Sequence, residues 1–314
     1  MVDEMHPDEP GSSGDQDLLH GLSDLLDRRC GIAATVYASA AAMPGATHRH
    51  RGPAAFAITV AAVTSSRTLS RPRRAMSTTS PVNKRRLIQD HVAGKSFVDI
   101  GGLWGTKGEM VTTAAAGGAE RLMMADIQAP GNTWWQKFEA RCAEKGVDNC
   151  EQLQVDICAP DAPSRLGQFD VVHCAGVMYH VADLFQFVGN LVSVTREHLV
   201  LSSVVMPDEI QGPAGALSFG PDHAYLAPVL SEQNRNVVLG HLRAHDLKAA
   251  GLTDSAAYFD QGRTRFGPWW WLFSGTFMSA LVRLHGLDVI AEGPSRGGHA
   301  YTVFAKVAAD THRA

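Results

Sequence analysis

No stretch of this 314-residue sequence approaches the roughly 18 consecutive apolar residues that a membrane-spanning helix needs. The best candidate, AAFAITVAAV at 54–63, is too short, and it lies too far from Met1 to act as a secretory signal. Cysteine is scarce: Cys30, Cys142, Cys150, Cys158 and Cys174 are odd in number and contain no C-x-x-C pair. That excludes a disulfide frame or zinc ribbon and points to reduced thiols in a cytoplasmic setting. Cys142, Cys150 and Cys158 recur every eight residues, but no histidine stands beside them at ligand spacing, so no metal site is expected. Charge of one sign is missing twice. Residues 1–27 hold eight acids and no Lys or Arg, whereas 28–86 hold eleven Lys/Arg and no acid. From Leu87 onward 17 basic residues face 24 acidic ones, a balance of −7. A body this acidic is poorly suited to gripping a phosphate backbone, so nucleic acid is not the expected partner.

What is present falls into two textures. Residues 1–86 are rich in Ala, Ser, Pro, Gly and Arg, with DLLHGLSDLLDRR (17–29) the one amphipathic helix candidate. Three readings stay open for this segment: a disordered leader, a targeting segment (47–86 is Arg- and Ser-rich and acid-free), or an over-extended start preceding a natural amino terminus at Met76. No chemistry is expected there. From 87 to 314 the pattern is regular and reads as one domain.

LIQDHVAG (87–94) predicts a short helix and KSFVDIGG a buried strand. TKGEMVTTAAAGGA (106–119) predicts a helix, RLMMADI (121–127) a strand, WWQKFEARCAEKG (134–146) a helix and CEQLQVDI (150–157) a strand. QFDVVHCAG (168–176), VADLFQFVGNLVSVT (181–195) and EHLVLSSVV (197–205) continue as strand, helix, strand. Near-continuous apolar strands alternating with helices imply a doubly wound α/β fold around a mostly parallel sheet. The rhythm fails across 206–271 and resumes as FSGTFMSALVRLHG (helix), LDVIAEG and AYTVFAKVA (strands), an ending that inserts a last antiparallel strand into the sheet.

In such a sheet, ligands bind beyond the carboxyl ends of the strands where the strand order switches. FVDIGGLWG, MMADI, LQVDI and FDVVHCAGVMYHVADL, in that order, resemble the four cofactor-contacting segments of class I S-adenosylmethionine (SAM)-dependent methyltransferases. The resemblance covers about 87–205 and 272–308 and implies that family's seven-stranded Rossmann-like sheet, with SAM as cofactor. VDIGGLWG and AGVMYHVADL look most like the branch containing tRNA wobble-uridine carboxymethyltransferase-like and related small-molecule methyltransferases, and WWWLFSGTFMSALVRLHGLDV resembles that branch's entry into its last helix. One departure stands out: Leu103 occupies the place of the second glycine in D-x-G-x-G-x-G, with Gly102 adjacent. A dinucleotide enzyme fits less well, because G-x-G-x-x-G would need glycine where residues 101–106 read GGLWGT.

The resemblance implies roles position by position. Asp99, Gly101, Gly102 and Gly105 would line the methionine end of the cofactor, Asp126 and Ile127 the ribose, Asp156 and Ile157 the adenine, and Cys174 the ammonium. A hydroxyl acceptor also needs a base, and His180 in VMYH, with Tyr179 beside it, stands just past the fourth strand. His180 reads equally well as a residue that only shapes the pocket. The insertion 206–271 is expected to cover the active site, with Tyr225, Phe266, Trp269, Trp270 and Trp271 as an apolar wall, Arg263 and Arg265 as anion receivers, and at least one tryptophan anchoring the cover. His241 and His245 stand four apart on a plausible helix, but LRA between them lacks the glutamate of H-E-x-x-H, so a packed or solvent-facing pair is expected. Three functions remain in view: small-molecule methylation at oxygen or nitrogen, tRNA modification using the basic 28–86 segment, and non-catalytic SAM binding. The subunit number stays open, a homodimer among the options.

Overall fold

A computed structural model describes residues 81–105, 109–247, 251–253, 258, 267–295 and 299–308. Most of the segment expected as leader, together with Arg263, Arg265 and Phe266, lies outside the described residues. Helix α1 (Lys84–His91) leads into strand β1 (Ser96–Ile100), a 3₁₀ turn (Gly102–Gly105) and helix α2 (Val111–Ala116). The chain continues through β2 (Arg121–Asp126), α3 (Thr133–Glu144), β3 (Cys150–Gln154), α4 (Ala162–Leu166) and β4 (Phe169–Ala175). A second 3₁₀ turn (Met178–His180) precedes α5 (Leu184–Val194) and β5 (Thr195–Val204).

These strands form one seven-stranded sheet, ordered β10-β11-β5-β4-β1-β2-β3 once the final hairpin of β10 (Leu287–Pro294) and β11 (Ala300–Val307) is added. β1 pairs in parallel with β2 and β4, β2 with β3, and β4 with β5, while β11 runs antiparallel to both β5 and β10. The expected α/β sheet with an antiparallel ending is therefore present, and its order reverses between β1 and β4.

Local chemistry accounts for the element ends. Side chains of Asn83, Asn132, Asp183 and Ser274 accept backbone N–H groups at the starts of α1, α3, α5 and α7 (Gly275–Leu284), supplying acceptors that a helix start otherwise lacks. The Asn83 cap starts α1 three residues earlier than the apolar pattern predicts. One face of the sheet packs Ile100, Val172 and Val303 in one cluster with Phe187 and Leu191 of α5 and Met278 of α7. The other packs Phe97, Val171 and Phe304 in one cluster with Ile88 of α1, Val111 of α2 and Trp135 and Phe138 of α3. Each such side chain contributes about 1.5–3 kcal/mol through removal from water.

The insertion has a small core of its own. Strands β6 (Glu209–Gly212) and β7 (Gly215–Ser218) form a hairpin, and helix α6 (Glu232–Ala244) packs Val237, Val238 and Leu242 with Phe219, Leu252 and Trp269. Strand β8 (Ala224–Leu226) pairs with β9 (Trp271–Phe273), which leads straight into α7. Among the described residues, no helix is long and apolar enough to cross a membrane.

Candidate active site

The tips of β1 to β4 meet at the carboxyl edge of the sheet, and the loops after them set the geometry there. Gly101 follows β1 with φ of +76°, a conformation that favours glycine, and its N–H donates to Ala125 O at 2.8 Å. A Cβ on Gly101 would collide with the Val177 side chain, and one on Gly102 would lie 2.6 Å from Asp99 Oδ2. Protein neighbours alone therefore require both glycines. Leu103, at the departure from the glycine pattern, turns its side chain into the core beneath α1–α3. Trp104 meets Trp134 with ring centroids 5.0 Å apart.

Asp99, near the end of β1, lies inside the protein. The resemblance places it against the cofactor, but its side chain is fully buried and both oxygens are occupied within the protein. Oδ2 accepts from Met110 N–H at 2.7 Å, and Oδ1 meets His173 Nδ1 at 2.7 Å. Asp99 thus ties the glycine turn to the start of α2 and to the neighbouring strand. His173, absent from the sequence-derived set, is 1% exposed and its Nε2 has no hydrogen-bond partner. The signal existed: a histidine inside the apolar run FDVVHCAG of a buried strand needs a polar partner, and paired β1 carries one in register, Asp99 opposite His173.

Asp126 ends β2 and is nearly buried. Its Oδ1 accepts from Gln128 N–H at 3.0 Å, and Oδ2 accepts a long bond, 3.4 Å, from Leu103 N–H. Burial, with a smaller push from the Asp99 charge, raises its carboxyl above its ordinary value, and the N–H groups of Gln128, Leu103 and Ile127 pull the other way. Ile127 beside it is an exposed apolar side chain, 58% accessible. Asp156 is exposed just after β3, with Oδ1 accepting from Cys158 N–H at 2.9 Å. Ile157 sits 3% exposed in the core. Cys174 lies inside the ladder, registered with Ile100 on one side and Leu201 on the other. The strand tip is Ala175–Gly176. Asn190 of α5, also absent from the sequence-derived set, donates from Nδ2 to Ile157 O (2.7 Å) and Ala159 O (2.9 Å), pinning the loop after Asp156.

Beyond β4, the Met178–His180 turn carries Tyr179 and His180, whose ring centroids lie 4.1 Å apart. His180 Nδ1 meets Pro268 O at 3.0 Å; a carbonyl only accepts, so Nδ1 holds the proton and Nε2 keeps its lone pair. Burial lowers the His180 pKa, partly offset by the carbonyls of Pro268 and Gly267, and this favours the neutral ring. Burial raises the Tyr179 phenol, which keeps it protonated near neutrality.

Each of the three tryptophans has a contact within the protein, while the side chains of Trp270 and Trp271 stay partly exposed. Trp269 is 5% exposed and packs on Tyr179 at 4.5 Å. Trp270 N–H donates to Tyr179 O, its own carbonyl accepts from Ala227 N–H, and Trp271 Nε1 donates to Ala182 O at 3.0 Å. Tyr225 is half-buried, with its hydroxyl donating to Ser218 O. His241 on α6 and His245 just after it have rings 4.6 Å apart, and His299 stands at the same distance from His245. Among the described residues, no group of three His, Cys, Asp or Glu is arranged to hold a metal ion.

No family model matches this chain, and no curated protein matches it. Solved structures do. Magnesium protoporphyrin IX methyltransferase from Synechocystis PCC 6803, with bound S-adenosylhomocysteine, matches at 13% identity and a TM-score of 0.41, over 72% of this chain and 83% of that one. A Bordetella parapertussis protein described as a possible exported protein matches at 15% identity and 0.46, over 72% and 66% of the two chains. Burkholderia thailandensis 1,6-didemethyltoxoflavin-N1-methyltransferase, with bound 1,6-didemethyltoxoflavin and S-adenosylhomocysteine, matches at 13% and 0.41, over 71% and 77%. Likeness at this level concerns the fold alone, and it singles out no branch and no ligand.

Proposed function

We propose that this chain is a SAM-dependent methyltransferase that methylates an oxygen or nitrogen of a small-molecule acceptor. The observation that carries the reading is the sheet: order β3-β2-β1-β4-β5 with an antiparallel hairpin inserted at the end, switching at β1/β4, where the glycine turn and Asp126 stand side by side. The four motifs quoted from the sequence fall on four adjacent strand tips of that edge.

The residues present fit the nucleoside part of such a cofactor. Ile127 offers an exposed apolar face next to Asp126, whose Oδ2 accepts a long bond from Leu103 N–H and can exchange it for a ribose hydroxyl. Asp156, exposed on the next tip, can accept from an exocyclic amine. When bound, SAM supplies an electrophilic methyl on a sulfonium.

The chain's own work is then positioning and proton removal. His180 Nε2, with Nδ1 locked by Pro268, accepts the proton that an attacking hydroxyl or protonated amine must lose, and releases it later to solvent. Tyr179, kept protonated, donates a hydrogen bond to the acceptor. The insertion excludes water by resting on the Met178–His180 turn through Trp269–Trp271. Calorimetry of the purified chain with SAM and with S-adenosylhomocysteine tests the reading, and binding of neither sinks it. Labelled SAM with small-molecule extracts then separates an enzyme from a silent binder by transfer of label.

A further inference from the structure

Tyr258 lies in the insertion, 7% exposed, and takes no part in the proton chemistry above. Its hydroxyl donates to Trp269 O at 2.7 Å, and its ring meets Trp270 edge-on with centroids 5.0 Å apart. Burial pushes the phenol up to about 12, with Arg235 opposing, so it stays a donor through the neutral range. Gly251 packs against it: a Cβ there would lie 2.8 Å from Tyr258 Oη and 2.9 Å from Pro268 Cβ. The chain next to Gly251 is held in its own right, because Arg235 Nη1 of α6 donates to Leu252 O at 3.0 Å.

These contacts converge on the carbonyl that holds His180. Pro268 has no N–H with which to anchor itself, so the direction of its carbonyl depends on its neighbours. Two successive carbonyls take side-chain donors, Pro268 O from His180 and Trp269 O from Tyr258, and the next N–H, that of Trp270, donates to Tyr179 O at 2.8 Å. A neutral imidazole can carry its proton on either nitrogen, and His180 is kept to Nδ1 only while Pro268 O stays in place.

We propose that Tyr258 is a positioning residue for His180: its hydroxyl, by fixing Trp269 O, aims the Pro268 carbonyl that keeps the proton on Nδ1 and the lone pair on Nε2. The use of that lone pair rests on the reading of His180 as proton acceptor, whereas the positioning itself is measured without any acceptor.

The full chain is labelled with ¹⁵N-histidine, and the two ring-nitrogen shifts of His180, assigned with His180→Gln, report the tautomer at about pH 8, where the ring is neutral. The parent should hold the proton on Nδ1. Tyr258→Phe keeps the ring and removes only the hydroxyl, and it should raise the Nε2-protonated fraction at least about fivefold, with S-adenosylhomocysteine affinity within about twofold of the parent. An unchanged tautomer in the folded variant overturns the proposal, as does a parent whose proton sits on Nε2. A fall in ligand affinity that matches the tautomer shift shows a structural role and overturns it too. Should Tyr258→Phe not fold, the parent decides: the Tyr258 hydroxyl proton and the His180 Nδ1 proton should exchange with solvent through one opening, with protection within about threefold, and a wider gap overturns the assignment. A parent that binds no S-adenosylhomocysteine removes the cofactor reading, while the tautomer comparison still decides this proposal.

Discussion

Asp99 and Asp126 occupy the same kind of place, a buried acid at the end of adjacent parallel strands, yet their surroundings differ in kind. Asp99 is closed: one oxygen on a backbone N–H, the other on a buried histidine, both at 2.7 Å. Asp126 is held more loosely, by N–H groups at 3.0 and 3.4 Å, beside an exposed isoleucine. An acid in a strand-end motif can thus serve the fold or serve a ligand, and only its partners tell which. The stretches after β3 and β4 differ similarly, because Asp156 lies open to solvent whereas Tyr179, past β4, packs against Trp269 of the insertion.

The widest separation of these roles should come from His180. His180→Ala is expected to cut turnover about 10²–10⁴-fold while S-adenosylhomocysteine affinity stays near the parent value. Because burial holds its pKa below the ordinary histidine value, the acid limb of the parent's pH–rate profile should lie below about 6.5. Unchanged turnover in the variant would leave His180 as a residue that only shapes the pocket.

Asp99→Ala comes next. It strands Met110 N–H and His173 Nδ1 in the core and should cost about 3 kcal/mol in denaturant unfolding, with ligand affinity falling only as the fold does. Asp126→Asn is the opposing case. Its carboxyl has a pKa raised by folding, so the charged form destabilises the native state once pH rises through that raised value. Removing the charge should leave stability at pH 7 unchanged or higher while weakening S-adenosylhomocysteine about tenfold. If the two variants behaved alike in unfolding and binding, the contrast between closed and open acids would be wrong.

The smallest effect concerns the far end of the sheet. His198, stacked on Phe304 with ring centroids 5.2 Å apart, has its pKa lowered to about 4 by burial, with neighbouring His91 and Lys95 adding to the shift. The unfolded chain therefore takes up this proton first, and stability should fall as pH drops from about 6.5 toward 4. His198→Phe should flatten part of that slope in thermal unfolding at pH 7, 6 and 5, and an unchanged slope would show that other histidines control it.

Most of the sheet is legible in the sequence because parallel strands buried on both faces must be nearly all apolar, as SFVDI and FDVVHCA are. The helices show through their caps and glycine stops. What escapes has a physical reason in each case. Helix α4 is five residues long with Pro163 in its first turn, too short to display a period. Strands β6 to β9 pair only with one another in two-stranded ribbons, so no continuous apolar run marks them. The positions of Asp126, Asp156 and His180 at strand tips are readable from spacing. The enclosure of Asp99, Ile157 and Cys174 is not, because it depends on side chains from other strands and from α5.

Trp270 gives its N–H to Tyr179 and its carbonyl to Ala227, and Pro268, two residues earlier, holds His180 Nδ1. Any excursion of 267–271 away from the Met178–His180 turn would therefore strip the imidazole of the contact that fixes its tautomer. Insertion and imidazole are latched to the same strip of backbone, so under the proposed function a gaping chain would also be a disarmed one.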